Sequence, residues 1–75
     1  MPLAGARVAD VGCGDGALVR VMARSGAHVL GIEPGARQLA RARAAEPAGD
    51  ESYVAAFGEA LPLPDGCLDS LIYFN

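Results

Sequence analysis

The run Asp10-Val11-Gly12-Cys13-Gly14-Asp15-Gly16 constrains this chain more than any other feature. It follows a short β-prone stretch that begins at Arg7 and opens a stretch with helical periodicity. Three glycines in five positions (12, 14 and 16) exceed what a tight strand-to-helix turn requires. Glycines at such a junction permit positive φ and let a ligand lie directly against the backbone. Strand, glycine loop and helix in that order belong to parallel α/β architectures, where ligands sit at the carboxyl ends of the strands.

The rest of the chain alternates in the same way. Residues 7–11 read as a strand. Residues 16–25 read as a helix with Leu18, Val21 and Met22 on one face, Arg20 and Arg24 pointing elsewhere, and Gly26 as its stop. Residues 28–33 form a second strand closed by Pro34-Gly35. A second helix over 36–46 turns Leu39 and Ala40 inward and ends at Pro47. Residues 52–57 make a third strand, and after a Pro- and Gly-containing loop residues 68–74 make a fourth. Strands separated by helices imply crossovers and a parallel sheet. The expected fold is α/β: about four strands and two helices, the first half of a doubly wound domain. The apolar run Leu71-Ile72-Tyr73-Phe74 suits a strand buried on both faces, and its position last in the chain leaves an edge open for pairing.

Composition narrows the partners. With 75 residues the chain is at most one small domain, taken as a single partial domain over 1–75, because below about 70–80 residues a lone core is marginal. A 52% hydrophobic content excludes a disordered tail. No apolar run approaches the roughly 18–20 residues of a membrane span, and no basic-then-apolar leader opens the chain, so the expected location is cytoplasmic. The formal net charge is −3, with six Arg, no Lys and nine acids, too few cations for a basic face. That excludes duplex nucleic acid and anionic membrane as expected partners. Cys13 and Cys67 read as free thiols, and nothing has paired metal-ligand spacing.

The choice of ligand turns on charge. Gly12, Gly14 and Ala17 satisfy the dinucleotide pattern G-x-G-x-x-G/A, and Glu33 lies 21 positions after Gly12, where a ribose-binding acid belongs. An NAD(P)- or flavin-binding oxidoreductase is therefore a competing reading. Against it stand Asp10 before the loop and Asp15 within it, since two carboxylates oppose a pyrophosphate at low local dielectric. They suit a ligand with a cationic head. S-adenosylmethionine has one, an ammonium and a sulfonium beside an adenosine.

On these residues the chain resembles the class I S-adenosylmethionine-dependent methyltransferases, in which an acidic residue leads a G-x-G-x-G loop, as Asp10 leads Gly12, Gly14 and Gly16. The resemblance runs from Val8 to Asn75 and is closest to the small-molecule branch. It implies a Rossmann-like sheet and S-adenosyl-L-methionine as cofactor. Gly12, Gly14 and Gly16 would then line the methionine portion, Asp10 would help hold its amino group, and Glu33 would hydrogen-bond both ribose hydroxyls. The segment from Gly58 to Gly66 looks like the family's adenine-side loop, placing Gly58 and Glu59 beside the adenine. Many relatives carry Asp where this chain has Phe57. The resemblance also implies methyl transfer to a small-molecule acceptor whose selecting residues lie outside these 75.

No residue stands out as a catalytic base. His28, the single histidine, starts the second strand, far from the ligand-binding edge, and reads as structural. Tyr53 and Tyr73 read as core residues. Cys13 precedes a helix, a setting that lowers a thiol pKa, but in this motif its backbone matters more than its sulfur. A non-enzymatic reading also stands: a binding module that pairs with another chain through its fourth strand.

Overall fold

The computed structural model describes residues 3–57 and the backbone of residues 70–73. Its elements run β1 (Arg7–Val11), α1 (Ala17–Arg24), β2 (His28–Ile32), α2 (Ala36–Ala44), β3 (Asp50–Val54) and β4 (Ser70–Tyr73). All strand pairings are parallel, in the order β3-β2-β1-β4. The chain steps from β1 to β2 to β3 in one direction, and β4 then lies on the far side of β1. This reversal creates a topological switch point at the carboxyl ends of β1 and β4, the place where open α/β sheets bind ligands. The sheet expected from the alternating pattern is the sheet observed.

Position in the sheet explains strand composition. Central β1 is buried from Val8 through Val11, as a strand covered on both faces must be. Edge strand β3 is polar at its start, Asp50-Glu51-Ser52, and no residue of it is fully buried. It begins two residues earlier than expected and ends at Val54. Pairing with β2, from His28 opposite Asp50 to Ile32 opposite Val54, sets that register, and an edge tolerates the polar residues. Arg43 of α2 donates to the Tyr53 carbonyl (3.0 Å), shielding one acceptor of β3.

α1 packs on the sheet face carrying Val8, Val29 and Tyr53, through Val19, Met22 and Ala23, with Leu18 partly buried beside them. Val21, expected inward, is 51% exposed. The buried stripe at 19, 22 and 23 is the same i, i+3, i+4 pattern displaced by one residue, about 100° of rotation. A similar displacement occurs in α2, where Leu39 and Ala42 are buried and Ala40 is exposed. α1 closes with Gly26 at φ +94°, its N–H donating to the Ala23 carbonyl while that of Ala27 donates to Met22. This is a Schellman cap, which only a residue comfortable in the left-handed region provides cheaply. The opposite face of the sheet holds a smaller cluster of Ala9, Val11 and Ile32, flanked by Leu30, Val54 and Ala56.

Candidate cofactor-binding site

The glycine loop leaves β1 at the switch point and is tied to β2. The N–H groups of Gly12 and Cys13 both donate to the Ile32 carbonyl, at 2.7 and 3.1 Å. Gly12, Gly14 and Gly16 all have positive φ, as the spacing of glycines implied. Their surroundings differ. A Cβ on Gly14 would meet nothing within 4 Å, whereas one on Gly16 would collide with Tyr53. Gly14 therefore faces open space, and Gly16 is turned toward the protein interior.

Glu33 follows directly on β2 and clamps the loop. Gly14 N–H donates to its Oε1 at 2.7 Å, and Gly35 N–H donates to its Oε2 at 2.9 Å. A carboxylate offers about four acceptor positions. Two are committed to loop amides, and the others remain for a ligand. The sequence marked Glu33 by its spacing but gave no sign of this second duty.

Asp10 has the opposite character. It is 1% exposed, and its Oδ1 is buried with no hydrogen-bond partner among the described residues. Its neighbours in the sheet are Gly31 of β2 and, by backbone register, Ile72 of β4. Burial pushes its carboxyl above the ordinary value. A buried orphan carboxylate oxygen is unfavourable in an unliganded fold and fits a cationic hydrogen-bond donor supplied from outside. Asp15, by contrast, is exposed and engaged locally. Its Oδ1 accepts from Ala17 N–H (3.2 Å), and its carbonyl accepts from Arg20 Nη1 (2.8 Å). It serves the start of α1 with an oxygen that the glycine cap itself lacks.

Cys13 is buried with a free thiol, pushed up to about 11 by burial first and then by the charges of Asp10 and Glu33. At pH 8 that leaves about 0.1% thiolate, so iodoacetamide should label Cys13 roughly 100-fold more slowly in the native protein than in urea. Peptide mass spectrometry measures this directly, and comparable rates would contradict the environment described. His28 sits at the opposite end of β2 from Glu33 and pairs with Asp50, both side chains being more than half exposed. An exposed pair of this kind contributes little. Tyr53 is half-buried and packs against the α1 side of the core, close to expectation. Gly58, Glu59, Cys67, Phe74 and Asn75, and the side chain of Tyr73, lie outside the described residues. Phe57 is 62% exposed. Among the described residues no helix is long and apolar enough to cross a membrane, and no group of His, Cys, Asp and Glu could hold a metal ion.

A parallel sheet with its switch point at a glycine loop, a buried acid next to last in the first strand and another following the second make a candidate ligand-binding α/β unit. Comparison with known proteins gives it a lineage. The methyltransferase-domain family matches residues 9–75, and the chain belongs to that family. It is 58% identical over 41 residues to a ubiquinone biosynthesis O-methyltransferase of Hahella chejuensis, covering 55% of this chain and 17% of that protein. It is 38% identical over 71 residues to an uncharacterized methyltransferase of Mycobacterium sp. (strain JLS), covering 95% of this chain and 27% of that one. Among solved structures, the S-adenosylmethionine-dependent methyltransferase of Mesorhizobium loti superposes with a TM-score of 0.88 at 36% identity, covering 97% of this chain and 34% of that chain. The chain thus spans between a sixth and about a third of the length of these relatives.

Proposed function

We propose that this chain supplies the S-adenosylmethionine-binding half of a methyltransferase that acts on a small-molecule acceptor in the cytoplasm. The observation that carries the reading is the buried, unpartnered Asp10 Oδ1 beside a loop that opens at Gly14. The ammonium of the cofactor would complete that carboxylate. Glu33 would accept from the ribose hydroxyls with the lone pairs its amide bonds leave free, and the Gly12–Gly14 backbone would lie against the methionine chain. Asp15 and Gly16 shape the end of the loop. Gly58 and Glu59 are proposed for the adenine side on the family resemblance. Family membership and the S-adenosylmethionine-dependent Mesorhizobium loti neighbour support the cofactor. The O-methyltransferase of Hahella chejuensis supports a small-molecule acceptor. The free buried Cys13 thiol accords with a reducing compartment.

The bound cofactor would supply an activated methyl group for in-line displacement. The protein's part is to fix its orientation. Asp10 and Glu33 hold two separated points of one ligand, and the loop backbone between them excludes water from the third side. Isothermal titration with S-adenosylmethionine, S-adenosylhomocysteine and NADH tests the assignment. Binding of the two sulfur ligands without competition from NADH is expected. Tight NADH binding would overturn the reading of Asp10 and make a dinucleotide the ligand.

A further inference from the structure

The Tyr53 side chain crosses the sheet surface from its edge to the glycine loop. In the cross-strand row Asp10–Gly31–Tyr53 the middle position has no side chain, and the Tyr53 ring occupies the space above it. A Cβ on Gly31 would lie 2.7 Å from Tyr53 Cδ1 and 2.9 Å from Cys13 Sγ. A Cβ on Gly16 would lie 2.6 Å from Tyr53 Oη and 2.9 Å from its Cε1. Real Cβ contacts are essentially never this short, so the ring lies directly against Gly31 of β2 and Gly16 of the loop with no room between. The backbone of Tyr53 is held from α2 by Arg43, and the loop is held beside the ring by Arg20, whose Nη1 donates to the Asp15 carbonyl. The Tyr53 hydroxyl is buried without a well-formed hydrogen bond, close to that guanidinium. Ring carbons make the contact at Gly31, and at Gly16 the ring edge shares it with the hydroxyl.

We infer that Tyr53 is a positioning residue for cofactor binding: an aromatic strut from edge strand β3, passing over Gly31, that sets the height of the Gly12–Gly16 loop against Glu33. Glu33 pulls the loop toward β2 through Gly14, and Tyr53 limits that approach from behind through Cys13 and Gly16. Removing the ring lets the loop settle, and a binding constellation must be held within about 0.5 Å of its productive geometry by its supporting side chains, so affinity falls. The inference rests on the assignment of this loop to the cofactor, so its test needs a readout independent of ligand.

The test compares Tyr53→Phe, Tyr53→Val and Gly31→Ala with the parent protein. It measures amide hydrogen exchange of residues 12–17 and of β1, together with S-adenosylmethionine affinity well below each melting temperature. Tyr53→Phe keeps the ring and is expected to retain loop protection and affinity within about 3-fold. Tyr53→Val is expected to lose loop protection selectively, with β1 amides unchanged, and to weaken binding at least about 10-fold. Gly31→Ala displaces the ring and should behave like Tyr53→Val. Tyr53→Val with parental loop exchange, or with loop and β1 loosened alike, overturns the strut. If the parent itself fails to bind while Tyr53→Val still loosens the loop selectively, the cofactor assignment fails and the strut stands.

Discussion

Replacing Glu33 with alanine should lower the melting temperature by roughly 10–20 °C and weaken S-adenosylmethionine binding at least about 10-fold in the same variant. The first effect follows from the unliganded geometry. Glu33 accepts from Gly14 and Gly35 N–H at 2.7 and 2.9 Å in a half-buried setting. Hydrogen bonds to a charged group contribute about 1.5–3 kcal/mol each, and neighbouring ones are not additive, so a loss of about 2–3 kcal/mol is expected. In a domain of this size each kcal/mol moves the melting temperature by about 4–8 °C. The second effect follows from the two remaining acceptor positions, which the proposed ribose contacts would use. Glu33→Gln should fall between, because one carbonyl oxygen replaces two carboxylate oxygens and its amide would confront an N–H of the loop. Differential scanning calorimetry and titration on the three proteins check both halves. A melting temperature within 2 °C of the parent would show that the clamp contributes nothing.

Asp10→Asn is expected to move the same two quantities in opposite directions. Its carboxyl is held above the ordinary value by burial, so the folded protein binds this proton more tightly than the unfolded chain. Stability contributed at this position therefore falls as pH rises from the unfolded value near 3.8 to the raised folded value, and stays at the lower level above it. At neutral pH the unliganded fold carries a buried, incompletely paired charge. Asparagine removes the charge at nearly constant shape, so the melting temperature at pH 7 should rise by a few degrees, on the order of 1 kcal/mol. The acid-side fall in stability due to this group should vanish with it. Affinity for S-adenosylmethionine should drop about 30-fold or more, since an ammonium loses its countercharge. In the parent protein affinity should strengthen as pH rises through the raised carboxyl pKa and then level off. A variant that binds as tightly as the parent would refute the role of Asp10.

The sheet was readable because β1, β2 and their intervening loop carry local signals that agree with the tertiary structure: apolar runs, a glycine cluster and stop residues. What could not be read locally was rotation. In α1 both 18, 21, 22 and 19, 22, 23 are apolar stripes of helical spacing, and only packing on Val8 and Val29 selects the second, exposing Val21. The start of β3 was missed for a related reason. Asp50 and Glu51 have poor strand propensity, and alignment with His28 and Val29 overrides it at an edge. Within the candidate site, the sequence singled out Asp10, Gly12, Gly14 and Glu33. It did not separate the glycines by purpose, because the reason for Gly16 lies at Tyr53, 37 positions away. Such contacts leave no periodic trace.

The two acids at this site would have different fates under relaxed selection. Glu33 fastens the loop whether or not a ligand is present, so a descendant that no longer needed the cofactor would still be selected to keep it for folding. On the proposed reading Asp10 burdens the empty fold and only ligand binding would offset it, so drift would erase it early. If these roles hold, in relatives with the same loop retention of the aspartate before the first glycine would be the better marker of a working cofactor site, because the glutamate after β2 is also needed by the empty fold.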